Sequence, residues 1–334
     1  MRDKTNHTNE NIDISIIIVN YKSWKHLHNC LKSLDKIIQD EFKFQVIVID
    51  NQSNDNKLGT FIEKFPKYNF LINSGNNGFS NGCNLGASEA TGDYLLFLNP
   101  DTIATKAALS TMLQIAKTNL DYGIVSCTKV NLEGKTEKEI RFFPKLSTLL
   151  GTLRAIYKLI NKKRISKKYN SLKKIVFPDW VSGSIIFTSR NWFEKINGWN
   201  EDYWLYLEDV DFCKRITGAG GKIALTRTTQ IIHNHGGASR INVKTSALTK
   251  AEVIISKHTY IHNHIKNYSK YFAQFLLFTF TFLSKFFLAI VGIIFFFIPK
   301  LFVNVLIFKN LIKYYLNALI NKTWISKRAP NYAK

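Results

Sequence analysis

Two clusters in the second half of the chain carry residue types suited to moving charge and protons. One is acidic, Tyr206-Leu207-Glu208-Asp209-Val210-Asp211, and the other is His233-Asn234-His235-Gly236-Gly237-Ala238-Ser239. Upstream, the apolar run Leu95-Leu96-Phe97-Leu98 stops at Asn99-Pro100-Asp101. Carboxylates at the ends of buried strands, with a histidine beside glycines, can hold a divalent cation and deprotonate a hydroxyl in one cleft. The chain is therefore read as an enzyme.

Positioning these groups needs a scaffold whose strands end at a common edge. Ser15-Ile16-Ile17-Ile18-Val19 and Phe44-Gln45-Val46-Ile47-Val48-Ile49-Asp50 are short apolar runs of the kind buried on both faces of a parallel sheet. Between them, Leu27, Leu31, Leu34 and Ile38 follow helical spacing over Trp24 to Ile38. This is a βαβ unit, and such sheets bind ligands at the carboxyl ends of their strands. Further strands are expected at Asn69 to Ile72, Asp93 to Leu98 and Gly123 to Cys127. Helices are expected through Leu85 to Glu89 and up to Asn119. The fold class is α/β, a doubly wound, mostly parallel sheet with a C-terminal helical, membrane-associated tail.

The chain has 334 residues and a formal charge of +22, which fits an anionic partner: nucleic acid, a phosphorylated substrate or an acidic membrane face. Biased codon composition is the bland alternative for a chain rich in Lys, Asn and Ile. Nucleic acid is disfavoured, because most Phe sit in one C-terminal block rather than among Arg and Lys as stacking platforms. Cys30, Cys83, Cys127 and Cys213 show no paired spacing, so neither a disulfide framework nor a zinc site is expected. The polar start from Arg2 to Asn11 lacks a signal-peptide core, and the globular part is expected in the cytoplasm.

Between Lys135 and Lys174 an apolar stripe (Leu149, Leu150, Leu153, Tyr157, Ile160) is flanked by Arg154, Lys158, Lys162, Lys163, Arg164, Lys167 and Lys168. A basic amphipathic helix of this type can lie in a membrane interface or pack on the core. Val243 to Lys270 reads as a helical connector. Beyond it, Phe286 to Ile298 is apolar but shorter than the roughly 20 residues of a spanning helix. Extension back to Tyr271 gives the length and places Lys285 mid-segment, which is costly in lipid. A tilted span, a re-entrant hairpin and in-plane helices all stay open. The expected division is 12–242 for the catalytic domain (12–130, 131–178 and 179–242), then 243–270, 271–320 and a basic tail at 321–334.

No Gly-x-Gly-x-x-Gly follows the first strand, where Asn20-Tyr21-Lys22-Ser23 stands, and no Gly-rich loop ends in Gly-Lys-Ser/Thr. Dinucleotide and P-loop enzymes are thereby set aside. What stands instead is an ordered set: Ile18-Val19-Asn20-Tyr21, Val48-Ile49-Asp50-Asn51-Gln52-Ser53, Asn76-Asn77-Gly78-Phe79 with Asn84-Leu85-Gly86, Leu98-Asn99-Pro100-Asp101-Thr102, Gly198-Trp199-Asn200 and Glu208-Asp209-Val210-Asp211. Each is weak alone. Together, over roughly Ile14 to Ser239, they resemble the glycosyltransferase family 2 enzymes of GT-A fold, in particular the rhamnosyltransferase-like branch that builds cell-surface polysaccharides.

The resemblance implies a donor site at Asn20, Tyr21, Asp50, Asn51, Ser53, Asn76, Asn77, Gly78, Asn84 and Asn99. It implies Mg²⁺ or Mn²⁺ on Asp101 and on His233 or His235. The family's Asp-x-Asp metal motif reads Asn99-Pro100-Asp101 here, one charge fewer. Asp209 is implied as general base with Glu208 positioning the acceptor, and Asp211 caps or orients its helix. Trp180, Gly183 and Trp199 fit an acceptor subsite.

The expected reaction is inverting transfer from a dTDP- or UDP-linked sugar to a lipid-linked saccharide at the cytoplasmic face of the plasma membrane. Rhamnose is the first donor sugar, with galactose or glucose next. A sugar-nucleotide pyrophosphorylase would need a Gly-rich, Arg/Lys-bearing loop after the first strand, and that loop is absent. A membrane-anchored scaffold of the same fold without catalysis is the alternative from another class.

Overall fold

The computed structural model describes residues 11–170, 172–234 and 242–333. The first apolar run forms β1 (Ile14–Asn20), followed by α1 (Trp24–Asp35), β2 (Phe44–Asp50), α2 (Leu58–Lys64) and β3 (Asn69–Ile72). β1 and β2 pair in parallel from Ile14↔Phe44 to Asn20↔Asp50, so both end at one edge. Next come α3 (Gly78–Ser88), β4 (Tyr94–Leu98), β5 (Thr102–Ile103), α4 (Lys106–Thr118) and β6 (Tyr122–Val130). The basic segment folds as α5 (Gly151–Ile160) and α6 (Lys162–Lys168). Then follow β7 (Ile175–Val176), β8 (Ile185–Ser189), α7 (Arg190–Lys195), α8 (Glu208–Gly218) and β9 (Lys222–His233).

The strands form one mixed sheet in the order β3-β2-β1-β4-β8-β6-β9-β5, with β7 on β9. The β3-β2-β1-β4 half is parallel, as is β6 with β9. β8 enters antiparallel between β4 and β6, which places Ser182-Gly183-Ser184 beside the end of β4. Side chains alternate across a strand, so β1 feeds two cores. Ile16 and Ile18 pack with Leu27 and Leu31 of α1 and Met112 of α4, while Ile17 and Val19 pack with Ala87 of α3 and Phe212 of α8. That two-sided burial explains why the strand is apolar throughout. All four cysteines are buried and unbridged.

Three long helices complete the chain: α9 (Val243–His264), α10 (Tyr268–Ile294) and α11 (Pro299–Asn321). α9 is more than a connector. Its Ala247, Ala251, Ile254 and Ile255 form a core with Val303, Ile307, Leu311 and Tyr314 of α11, and its Tyr260 enters the core under α8. α10 and α11 form a hairpin closed at Phe295–Ile298. A Cβ on Gly292 would lie 2.6 Å from Leu301 O, so the helices approach there as only glycine allows.

α10 is long and apolar enough to cross a membrane, yet only 17% of its most apolar stretch is buried. Phe272, Phe275, Phe287 and Phe295 to Phe297 face outward. The basic segment sits next to it: Leu149 and Leu150 pack against Ile261, Ala273 and Leu277, with Leu153 at the margin. Ile160, expected on the same stripe, is exposed with Ile156 and Leu159.

Candidate active site

β1, β2 and β4 end around a cavity of about 750 Å³, whose lining includes Tyr21, Asn51, Gly78, Asn99, Asp101, Gly183, Glu208, Asp209 and His233. Residues expected to hold metal, to take a proton and to meet a nucleotide therefore face one space. His235 lies outside the described residues.

On the donor side, Tyr21, Asn51, Asn76, Gly78 and Asn99 line the cavity, whereas Asn20, Asp50, Ser53, Asn77 and Asn84 stand behind that lining. Asp50 accepts from Asn20 Nδ2 (3.1 Å), Ser53 N (3.0 Å) and Ser53 Oγ (2.5 Å), which fixes the turn after β2. Three of about four carboxylate acceptor sites are thus used, leaving one on Oδ2. Asn51 Nδ2 donates to Gly78 O at 2.8 Å and ties that turn to the start of α3. Gly78 has φ +90°, and a Cβ there would meet Trp204 O at 2.1 Å. The same carbonyl accepts from Phe79 N (3.0 Å), and Trp204 Nε1 donates to Asn76 O (2.8 Å). Glycine is required because another chain segment occupies the space its side chain would fill.

Two expected roles are corrected by packing. Trp199 is only 2% exposed, among Phe79, Phe97 and Phe212, so it is core rather than an acceptor platform. Its N–H donates to Asn84 Oδ1 (2.9 Å) and its carbonyl accepts from Asn84 Nδ2 (2.9 Å), which makes Asn84 a strut between α3 and this segment. Trp180 lies outside the cavity lining: Nε1 donates to Phe142 O (3.0 Å), and the Arg141 guanidinium sits 4.5 Å from its ring centre. Indole is large and amphipathic, so the sequence alone could not separate the two settings.

The carboxylate pair at the start of α8 is held by unusual backbone. Tyr206 and Leu207 have φ of 70° and 61°, a conformation L-residues seldom adopt, immediately before Glu208. Asp209 Oδ2 accepts from Gly183 N (3.0 Å) and Oδ1 from Val210 N (2.8 Å). Glu208 is buried and its Oε2 has no donor among the described residues.

Burial, then the neighbouring Asp209 charge, pushes Glu208 well above the usual carboxylate range. Burial also raises Asp209, but the Gly183 and Val210 N–H groups and the Arg141 and Lys129 charges oppose it. Asp209 keeps surface on the cavity while protein encloses its other sides. Burial thus favours a proton on Glu208, while the N–H groups and cations around Asp209 favour its charged form. Asp211 is spent structurally, bound by Arg215 Nε (2.6 Å) and His264 Nε2 (2.7 Å).

Across the cavity, His233 Nε2 lies 3.3 Å from Asp101 Oδ1, and its Nδ1 is 2.6 Å from Glu137 Oε1. Burial opposes a charged ring, but the two carboxylates override it and raise the His233 pKa. Asp101 Oδ1 is buried and lacks a hydrogen-bond donor of good geometry among the described residues. A neutral ring donating from Nδ1 to Glu137 would present a lone pair at Nε2 toward that oxygen, so a cation or a proton belongs between them. A carboxylate and an imidazole so placed could hold a divalent ion whose remaining ligands came from outside the protein. Among the described residues, no group of three His, Cys, Asp or Glu could share a metal.

The sequence reading missed Glu137, Lys129, Trp204 and Arg328. Lys129 was the legible one: a lysine inside the apolar β6, buried and paired with Glu137 Oε2 (3.0 Å) and Ser184 Oγ (3.1 Å).

The chain belongs to glycosyl transferase family 2, whose family model matches residues 15–197, more than half of its length. A model described as the N-terminal domain of galactosyltransferase matches residues 165–235. Among curated relatives, the low-salt glycan biosynthesis hexosyltransferase Agl10 of Haloferax volcanii is 28% identical over 226 residues, 66% of this chain and 67% of the relative. Rhamnosyltransferase WbbL of Escherichia coli K12 is 27% identical over 229 residues, 66% and 83%. The N-acetylglucosaminyl-diphospho-decaprenol L-rhamnosyltransferase of Mycobacterium tuberculosis is 24% identical over 236 residues, 66% and 76%.

Two solved structures support the fold. GalNAc-T7 with UDP, GalNAc and Mn²⁺ has a TM-score of 0.53 at 13% identity, covering 76% of this chain, which spans 51% of that one. The mannosyltransferase PcManGT of Pyrobaculum calidifontis with GDP-Man and Mn²⁺ has 0.51 at 13%, covering 80% and 69%. The fold is GT-A, and the protein is a glycosyltransferase of the hexosyltransferase class.

Proposed function

We propose that the chain transfers a sugar, rhamnose as first choice, from a dTDP- or UDP-linked donor to a lipid-linked saccharide with inversion. The observation that carries this reading is the convergence of Glu208 and Asp209 on the cavity that Asp101 and His233 also face. Asp209 would accept the acceptor hydroxyl's proton as that oxygen attacks the anomeric carbon, while Glu208 orients the hydroxyl. Asp101 and His233 would hold Mg²⁺ or Mn²⁺. When bound, the ion neutralises charge building on the departing diphosphate. Tyr21 and Asn51 would border the nucleoside, with the remaining acceptor site of Asp50 behind them.

Two of the relatives are rhamnosyltransferases, which favours rhamnose, and the name of one includes a diphospho-decaprenol-linked sugar. A membrane seat fits both. α11 is docked along its length on α9, so the hairpin would lie in one leaflet with the outer face of α10 in lipid rather than cross it. The adjacent basic α5 and α6 would meet anionic headgroups.

The test is a thermal-shift panel of sugar nucleotides with Mn²⁺, followed by transfer to a polyprenyl-diphosphate-linked sugar. Ligand that binds only folded protein raises the melting temperature. A panel without a single stabilising sugar nucleotide would overturn the donor reading. Flotation with anionic vesicles checks the seat, and failure to float at low salt overturns it.

A further inference from the structure

The last residues of the chain return to the cavity. After α11 the backbone turns at Lys322 (φ 51°) and is fastened to α9. Trp324 O accepts from Thr259 Oγ1 (2.8 Å), and its ring stacks on His258. Ser326 Oγ donates to Glu252 Oε1 at 3.1 Å. Farther on, Asn331 Nδ2 donates to Asp202 Oδ1 at 3.0 Å, in the segment that leads to α8. Arg328 is pinned between these anchors and lines the cavity with Thr245, Leu248 and Thr249 of α9.

The Arg328 guanidinium lies 5.6 Å from the Trp204 ring centre. Trp204 is itself hydrogen-bonded to Asn76 and Phe79, so this cation stands over the loop that edges the donor site. Its nearest carboxylate oxygen, Glu252 Oε1, is 3.7 Å away, too far for a hydrogen bond. The side chain is 49% exposed and none of its N–H groups is hydrogen-bonded within the described residues. Among the described residues lining the cavity, it is the only Lys or Arg, against Asp101, Glu208 and Asp209.

We propose that Arg328, delivered by the C-terminal tail, is a diphosphate-binding residue of this cavity. Arginine's planar fork matches phosphate oxygens, and the Trp204 face under it limits its freedom. A doubly anionic group entering beside Asp101 and Asp209 needs positive charge, and here a segment more than a hundred residues from the acidic cluster supplies it. The proposal rests on the cavity being a sugar-nucleotide site. The diphosphate has two sources, the donor nucleotide or the lipid-linked acceptor.

Full-length protein in detergent at fixed Mg²⁺ is titrated with inorganic pyrophosphate, UDP and farnesyl diphosphate. Arg328→Gln should lose about tenfold in pyrophosphate affinity, the loss of one charge-assisted contact at a half-exposed site. Arg328→Lys should retain part of it. Lys327→Gln, the same charge change at an exposed neighbour, should lose none. A parallel loss for UDP assigns the donor's diphosphate, and one for farnesyl diphosphate the acceptor's. Unchanged pyrophosphate affinity in Arg328→Gln, or an equal loss in Lys327→Gln, overturns the proposal. If Arg328→Gln melts early, Arg328→Lys decides: wild-type affinity in that variant overturns it, and a several-fold loss at unchanged melting upholds it. Wild-type protein that binds none of the three probes removes the donor-site reading and the clamp together.

Discussion

Asp50 and Asp209 both follow apolar core and face the same edge of the sheet, and their surroundings differ in kind. Asp50 receives three hydrogen bonds from Asn20 and Ser53 within a closed turn. Asp209 and its neighbour Glu208 follow two left-handed residues, their pKa values raised by burial and one Glu208 oxygen without a donor. The first arrangement stabilises the fold, while the second keeps reactive groups short of partners. Buried polar groups are normally satisfied, and exceptions gather where chemistry is done. The turn after β2 is thus internally satisfied structure, and the start of α8 is held in place by what surrounds it.

The sharpest way to break this contrast is Asp209→Asn. Transfer should fall by about 10² to 10⁴, the worth of a general base. Melting should stay level or rise, because a costly buried charge is gone. Glu208→Gln should be milder, since an amide resembles the protonated acid that burial favours there. Near-normal turnover in Asp209→Asn, measured with a competent acceptor, would refute the division of labour.

Asp101→Ala comes next. Removal of one of two facing acceptors should abolish the Mg²⁺-dependent part of donor binding in calorimetry, whereas Asn99→Ala should keep it. Metal-dependent affinity that survives in Asp101→Ala excludes it as a ligand.

Asp50→Asn tests the other half of the contrast. It replaces an acceptor with a donor opposite Asn20 Nδ2 or the Ser53 groups, which should cost about 1–3 kcal/mol of stability. Chemical denaturation of the two Asp→Asn variants side by side is the measurement. The contrast fails if Asp209→Asn proves the less stable.

Local pattern carried much of this into the sequence. β2 occupies the expected Phe44–Asp50, because a strand buried on both faces is a continuous apolar run, and β3 the expected Asn69–Ile72, a short edge strand whose ends are exposed. α1 stops at Asp35, short of the exposed Ile38 that the helical spacing had included. The place of Asp101, Glu208 and Asp209 on the cavity was legible because acidic residues at strand and helix ends face the edge of the sheet, and Gly183 lines the same space from the turn before β8. Trp199 was not, since its place in the core depends on Phe79, Phe97 and Phe212 arriving from elsewhere. Nor was Arg328, whose approach to Trp204 needs α9, α10 and α11 folded first. Pairings across such separations leave no periodicity to read.

Glu252 offers the mildest test, because it belongs to the unsatisfied side by position and yet does no chemistry. It is buried in α9 with Oε1 held by Ser326 and Oε2 without a donor. Burial pushes it up to about 7, against a smaller opposing pull from Ser326 and Arg328. A carboxyl that is harder to ionise in the folded chain binds more protons there than in the unfolded chain. Stability from this group is therefore fully present below about pH 4.5 and is lost as pH rises through about 7. One proton limits the slope to about 1.4 kcal/mol per pH unit. Glu252→Gln should flatten that part of the wild-type curve and be relatively more stable at pH values above the window. Denaturation of both proteins at several pH values gives the difference curve, in which other titrating groups cancel. A difference flat from about pH 4.5 to 7, or rising in favour of wild type, would place Glu252 with Asp50 among the satisfied carboxylates and narrow the unsatisfied region to the cavity itself.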